Sequence, residues 1–87
     1  MHIDKAKKRI AKRAKMGFQG YPQLTITYQG HSAEQPDTVL LSLQLEEHAE
    51  WQEQKFASKG DAREDESIQS TIVKMMERCE VKTVLLN

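Results

Sequence analysis

Seven of the 13 lysines and arginines of this 87-residue chain fall within the first 16 residues, beside a single acid, Asp4. Within that stretch Lys5, Lys8, Lys12 and Lys15 recur at i, i+3, i+7 and i+10, with Arg9 and Arg13 beside them. On a helix these positions fall along one side, so much of the perimeter is positive. Such a surface attracts phosphates whatever the base sequence, with an affinity that falls as salt rises. The chemistry on offer is electrostatic contact with RNA or DNA through Lys5, Lys8, Arg9, Lys12, Arg13 and Lys15. The same charges also suit a helix that docks on an acidic protein surface, that of a partner or the chain's own Glu46, Glu47, Glu50 and Glu53. A merely solvated helix is the third reading. Because the first 16 residues carry +6 and the remainder −6, the net charge of zero and the pI of about 6.8 are poor guides to what the protein touches.

Other residue types capable of chemistry are scattered. Pro36-Asp37 followed by Glu53-Gln54-Lys55 resembles the acid and Glu-x-Lys pattern of restriction-endonuclease-like nucleases, in which carboxylates hold a divalent metal and the lysine assists the attacking water. That chemistry requires Glu-x-Lys on a strand beside the aspartate, whereas the glutamate-rich stretch here reads as helix. His2, His31 and His48 lack the close spacing of a zinc site, and Cys79 has no neighbouring cysteine. His48 stands among Glu46, Glu47 and Glu50, carboxylates that would favour its protonated form, but a plain surface histidine is the commoner case. Cys79 falls at the end of a helical pattern, where the helix dipole disfavours a thiolate, so packing is its expected role. Asp61, Arg63 and Asp65 form one compact charged cluster, read as a structural cap and loop brace, with a polar recognition loop as the functional alternative. Met75 and Met76 fit a core and helix edge better than a binding groove. No catalytic residues, metal ligands or cofactor site emerge, and the chain reads as non-enzymatic.

Composition bounds what remains. A hydrophobic fraction of 38% with 30% charged residues is ordinary for a soluble domain. The longest apolar runs, Val39-Leu40-Leu41 and Val84-Leu85-Leu86, are far short of the roughly 20 residues that span a bilayer. The basic stretch is followed by no apolar core, so no secretory signal is expected, and its apolar anchors are too few for a membrane-surface helix. A lone cysteine fits a reducing, cytoplasmic setting.

The elements that must position these residues follow from periodicity. Asp4 is the expected N-cap of a helix over 5–15, with a thin apolar stripe of Ile3, Ala6, Ile10 and Ala14, and Gly17 ends it. Alternation predicts a strand over 23–29 (Leu24, Ile26, Tyr28) and a second over 39–45 (Val39, Leu41, Leu43, Leu45), joined by loop residues 30–37. Leu45, Ala49, Gln52 and Phe56 suggest a short helix over 46–58 with Trp51 and Phe56 packing inward. Residues 59–64 read as loop. Asp65 should cap a helix over 66–79 carrying Ile68, Ile72, Met75, Met76 and Cys79. Val81 to Leu86 closes as a strand with apolar residues on both faces, suggesting a covered position.

The expected fold class is thus α+β: a small three-stranded mixed sheet with helices packed on one face, in the order α-β-β-α-α-β. A basic N-terminal helical arm occupies 1–17 and a single domain 18–87. If the last strand shares the sheet, it should run parallel to the second. The core should come from Leu24, Ile26, Tyr28, Val39, Leu41, Leu43, Ile68, Ile72, Met75, Val84 and Leu85. Open sheet edges offer a route to a homodimer.

Several segments resemble a family of short bacterial proteins with no assigned activity. They are Lys8-Arg9-Ile10-Ala11-Lys12-Arg13, Gly17-Phe18-Gln19-Gly20-Tyr21-Pro22, Thr25-Ile26-Thr27-Tyr28 ahead of Gly30, Asp61-Ala62-Arg63-Glu64-Asp65, and Val81-Lys82-Thr83-Val84. Related chains tend to carry proline where this one has Glu66 and glycine where it has Glu80. They also tend to continue past the final strand into a tail containing Cys-Pro-His, and this chain stops at Asn87, so a function housed in such a tail does not carry over. The resemblance implies no activity. The leading expectation is a binding module that contacts nucleic-acid phosphates through its basic helix. The alternative is a protein-interaction or dimerisation domain whose basic helix docks on an acidic surface.

Overall fold

The computed structural model describes residues 2–30 and 36–86. Their order is α1 (Ile3–Lys15), β1 (Gln23–Gln29), β2 (Thr38–Gln44), β3 (Gln52–Ala57), a single 3-10 turn (Ala62–Glu64), α2 (Glu66–Arg78) and β4 (Thr83–Leu86). The fold is α+β, with one mixed sheet in the spatial order β3-β2-β1-β4. β1 and β2 pair antiparallel with Leu24 opposite Leu43 and Ile26 opposite Leu41, as their alternation requires. β4 pairs parallel with β1, Leu24 lying beside Val84.

The fold departs from expectation at its two sheet edges. The sheet has four strands rather than three, because residues expected as a helix over 46–58 supply β3, antiparallel to β2 with Leu41 opposite Gln54. The element order is therefore α-β-β-β-α-β. That extra strand reverses the chain before α2, so β4 runs parallel to β1 and β3 and opposite to β2, not parallel to β2. β4 is also an edge strand: Leu85 and Leu86 are 37% and 46% exposed, and Leu85 leaves the expected core. Trp51, expected to pack inward, is exposed just before β3, while Phe56 does pack partly against the core.

Helix starts and stops follow local chemistry. His2 rather than Asp4 is the N-cap of α1, its ring accepting a hydrogen bond from the Asp4 amide, and Asp4 lies in the first turn, where a negative charge suits the helix dipole. Gly17, at φ +71, turns the chain away after the C-cap residue Met16. Asp65 caps α2 as expected, one carboxylate oxygen accepting from the Ile68 amide at 3.1 Å and the other from the Ser58 hydroxyl at 2.8 Å. These bonds hold its carboxyl below the usual carboxylate range. After α2, Glu80 adopts φ +51, a left-handed position that glycine fills at lower cost.

Register puts Leu24, Ile26, Val39, Leu41, Leu43 and Val84 on one face of the sheet, and both helices cover that face. α2 contributes Ile68, Ile72, Val73 and Met76 to the core, α1 contributes Ala6 and Ile10, and Ala62 and Val81 complete it. Met75 lies at the edge, as does Tyr28. The one buried side-chain amide among the described residues, Gln69, donates to the Tyr28 hydroxyl at 2.9 Å and to the Ala62 carbonyl at 3.1 Å, so its burial costs little. Burial is the main reason the Tyr28 hydroxyl is harder to ionise than usual. No helix among the described residues is long and apolar enough to cross a membrane.

Candidate functional site

α1 sorts its cations by side. Ala6 and Ile10 are buried, and the helix packs on α2 and β4. On its flanks Lys7 pairs with Glu64, a hydrogen bond that raises the lysine's affinity for its proton, and Arg9 donates to Glu77 at 2.9 Å. These partners lie beside or on α2, not in the acidic run Glu46 to Glu53. Opposite the core, Lys5, Lys8, Lys12 and Lys15 are exposed, and none has a carboxylate within ion-pair distance among the described residues. The rise of a helix places the outermost two about 15 Å apart, enough to reach several phosphates in line.

Arg9, Lys12 and Arg13 face a second feature. With Met16, Val73, Met76 and Glu77 they line a shallow groove of about 340 Å³ between α1 and α2. Its floor is apolar, since Val73 and Met76 are 1% and 5% exposed, and its rim is mostly cationic. The six residues singled out by spacing thus divide into an outer lysine stripe and a groove rim, with Lys12 common to both. Spacing alone does not separate these roles, because the division depends on where α2 lies.

Beyond α1 the segment 17–22 is bolted to β4. The Gln19 amide donates to the Thr83 hydroxyl at 2.8 Å, that hydroxyl donates to the Gly20 carbonyl at 2.6 Å, and the Gln19 side-chain amide donates to the Met16 carbonyl at 2.8 Å. Phe18, 55% exposed, meets Tyr21 edge to face, with ring centroids 5.4 Å apart.

The remaining candidates do not assemble. Glu53 and Lys55 do stand on a strand beside β2, contrary to the helical expectation, but Glu53 lies opposite Ser42 while Asp37 precedes the start of β2. Five residues of strand separate the two carboxylates, about 16 Å at strand rise. Their strand positions also differ by an odd number, which puts them on opposite faces. Among the described residues no group of three or more histidines, cysteines or carboxylates could hold a metal ion. His31 lies outside the described residues. His48 is exposed at φ +70 in the β2–β3 connection, 3.6 Å from Glu47. Arg63 grips Asp61 with two bonds, at 2.8 and 3.0 Å, and thereby holds that carboxyl below its ordinary range. This pair braces the 3-10 turn ahead of α2.

A second groove has no counterpart in the sequence pattern. It measures about 300 Å³ and lies between α2 and the β2–β3 pair, lined by Leu41, Leu43 and Met75 with Gln52, Gln54, Lys74, Arg78, Thr71 and Cys79. It exists because β3 extends past the helix layer, so it is foreseeable only once 52–57 is read as a strand. Comparisons with known protein families, curated proteins and solved structures return no match to this chain.

Proposed function

We propose that the protein is a non-enzymatic binding module that contacts nucleic-acid phosphates through the outer face of α1. The observation that carries this reading is the sorting of charge: the flank cations Lys7 and Arg9 have carboxylate partners, whereas the four outward lysines, and Arg13 on the groove rim, have none within ion-pair distance among the described residues. Like charges three and four residues apart on a helix weaken it by roughly 0.2–0.5 kcal/mol a pair. A helix that buries only Ala6 and Ile10 carries that cost with little core to offset it. A polyanion removes the cost and gains counterion release.

The test is the variant Lys5→Gln, Lys8→Gln, Lys12→Gln, Lys15→Gln, which leaves Arg9 on Glu77 and the buried face intact. Binding to RNA or DNA should weaken strongly, and the slope of log affinity against log salt should flatten by about 0.7–0.9 for each phosphate that the variant no longer engages. Unchanged low-salt affinity in this variant would remove α1 from the contact surface.

The competing reading is a protein-interaction or dimerisation domain. It draws on the β2–β3 connection, where Leu45 and Trp51 are exposed among Glu46, Glu47 and Glu50, an acidic and partly apolar surface that suits a basic helix of another copy. Sedimentation of the parent separates the two: a salt-sensitive dimer that disappears in the lysine variant, with no nucleic-acid binding by the parent, favours the protein partner.

A further inference from the structure

We propose that Phe18 is a stacking platform for an unpaired base, which makes the preferred ligand of α1 a single strand rather than a duplex. This rests on the reading of α1 as a phosphate-contacting helix and names its substrate class. Phe18 follows Met16, the residue at the end of the basic groove between the helices, and lies three positions after Lys15. Phe18 is more than half exposed, yet the backbone that follows it is fixed: the Gln19 and Gly20 bonds to Thr83 fasten the loop to β4, and Tyr21 holds the ring through a T-shaped contact. An aromatic ring held in place before binding loses little freedom when a base covers it.

The arrangement joins two requirements of single-strand recognition. Cations track the backbone, and an aromatic ring accepts the face of any base. A base inside a duplex cannot reach such a ring without leaving its stack, so a duplex uses the lysines alone. At an interplanar angle of 78° Tyr21 covers at most one face of Phe18, and the residue is more than half exposed, so a face is left for a base.

Fluorescence anisotropy with a labelled oligouridine and an RNA duplex of equal length, at one low salt concentration, tests this on the full chain. Phe18→Ala should weaken single-strand binding about tenfold while duplex affinity stays within about twofold. The salt slope should not change, because the substitution removes no charge. Phe18→Trp should retain the parent's affinity, and an iodouracil-containing strand should photocrosslink to the peptide that holds residue 18. Circular dichroism of Phe18→Ala checks that the fold persists, as expected for an exposed side chain. A parent that binds both ligands while Phe18→Ala is silent, or weakens both alike, overturns the platform and leaves the lysine stripe standing. A parent that binds neither ligand overturns the reading of α1 and this inference with it.

Discussion

α1 and α2 are both 13 residues long, lie on the same face of the sheet, and make opposite uses of their surface. α2 buries Ile68, Gln69, Ile72, Val73 and Met76, a continuous inward stripe with a satisfied amide in it. α1 buries two side chains, one of them an alanine, and presents a row of lysines on the side away from the core. The difference separates a helix selected for packing from one whose surface exceeds what packing asks. A structural helix of this length needs neither the uncompensated lysines nor their repulsion. The asymmetry therefore says more about use than either helix does alone.

Stability measurements can break that contrast. Ile72→Ala should have the largest effect, about 2–5 kcal/mol by denaturant unfolding, because the side chain is fully buried in the middle of α2. A loss below about 1 kcal/mol would mean that α2 is not the anchor. Ile10→Ala comes next, at about 2–3 kcal/mol, since Ile10 is 3% exposed and is the one large residue that α1 buries. A silent Ile10→Ala would make α1 a detachable arm and dissolve the comparison.

Asp65→Ala should cost about 1 kcal/mol through loss of the cap and the Ser58 bond. Its pH dependence is specific. The folded carboxyl is depressed, so its contribution is present above the ordinary carboxylate range, and it fades as pH falls and the folded group at last takes up its proton. Urea melts of parent and variant should therefore converge as pH drops below about 4. A gap that persists at low pH would assign the loss to something other than the charged cap. The lysine variant should lose no stability: its side chains are exposed to solvent, and relief of their mutual repulsion should leave it level with the parent or up to about 1 kcal/mol more stable. Unfolding of that variant would show that the stripe serves the fold after all.

The sequence disclosed the parts of this fold whose burial is one-sided. β1 and β2 alternate because one face meets the helices and the other does not, and the burial pattern of β2 reproduces that alternation. α2 was legible for the same reason at helical spacing. β3 was not: Gln52, Glu53, Gln54 and Lys55 are exposed on an edge beyond the helix layer, so neither face demands an apolar residue. Its glutamines and glutamate favour helices in isolation, and the spacing of Leu45, Ala49, Gln52 and Phe56 completed a false pattern. β4 misled in the other direction. Leu85 and Leu86 look like the middle of a sheet but stand at its edge. The basic residues were evident from spacing, whereas their sorting into paired and unpaired sets depends on Glu64 and Glu77, more than 50 residues away in the chain.

The pairing of β4 with β1 also sets an order in time. β1, β2 and β3 form a meander whose contacts close over short stretches of chain, while Leu24 meets Val84 only after some 60 residues have been drawn together. Loop-closure entropy favours the meander as the early event and the β1–β4 pairing as the late one. α1 rests on α2 and β4, so its seat is assembled last. In that order the basic helix gains its seat late, and a polyanion met before then would encounter every one of its charges, including Lys7 and Arg9 before Glu64 and Glu77 claim them.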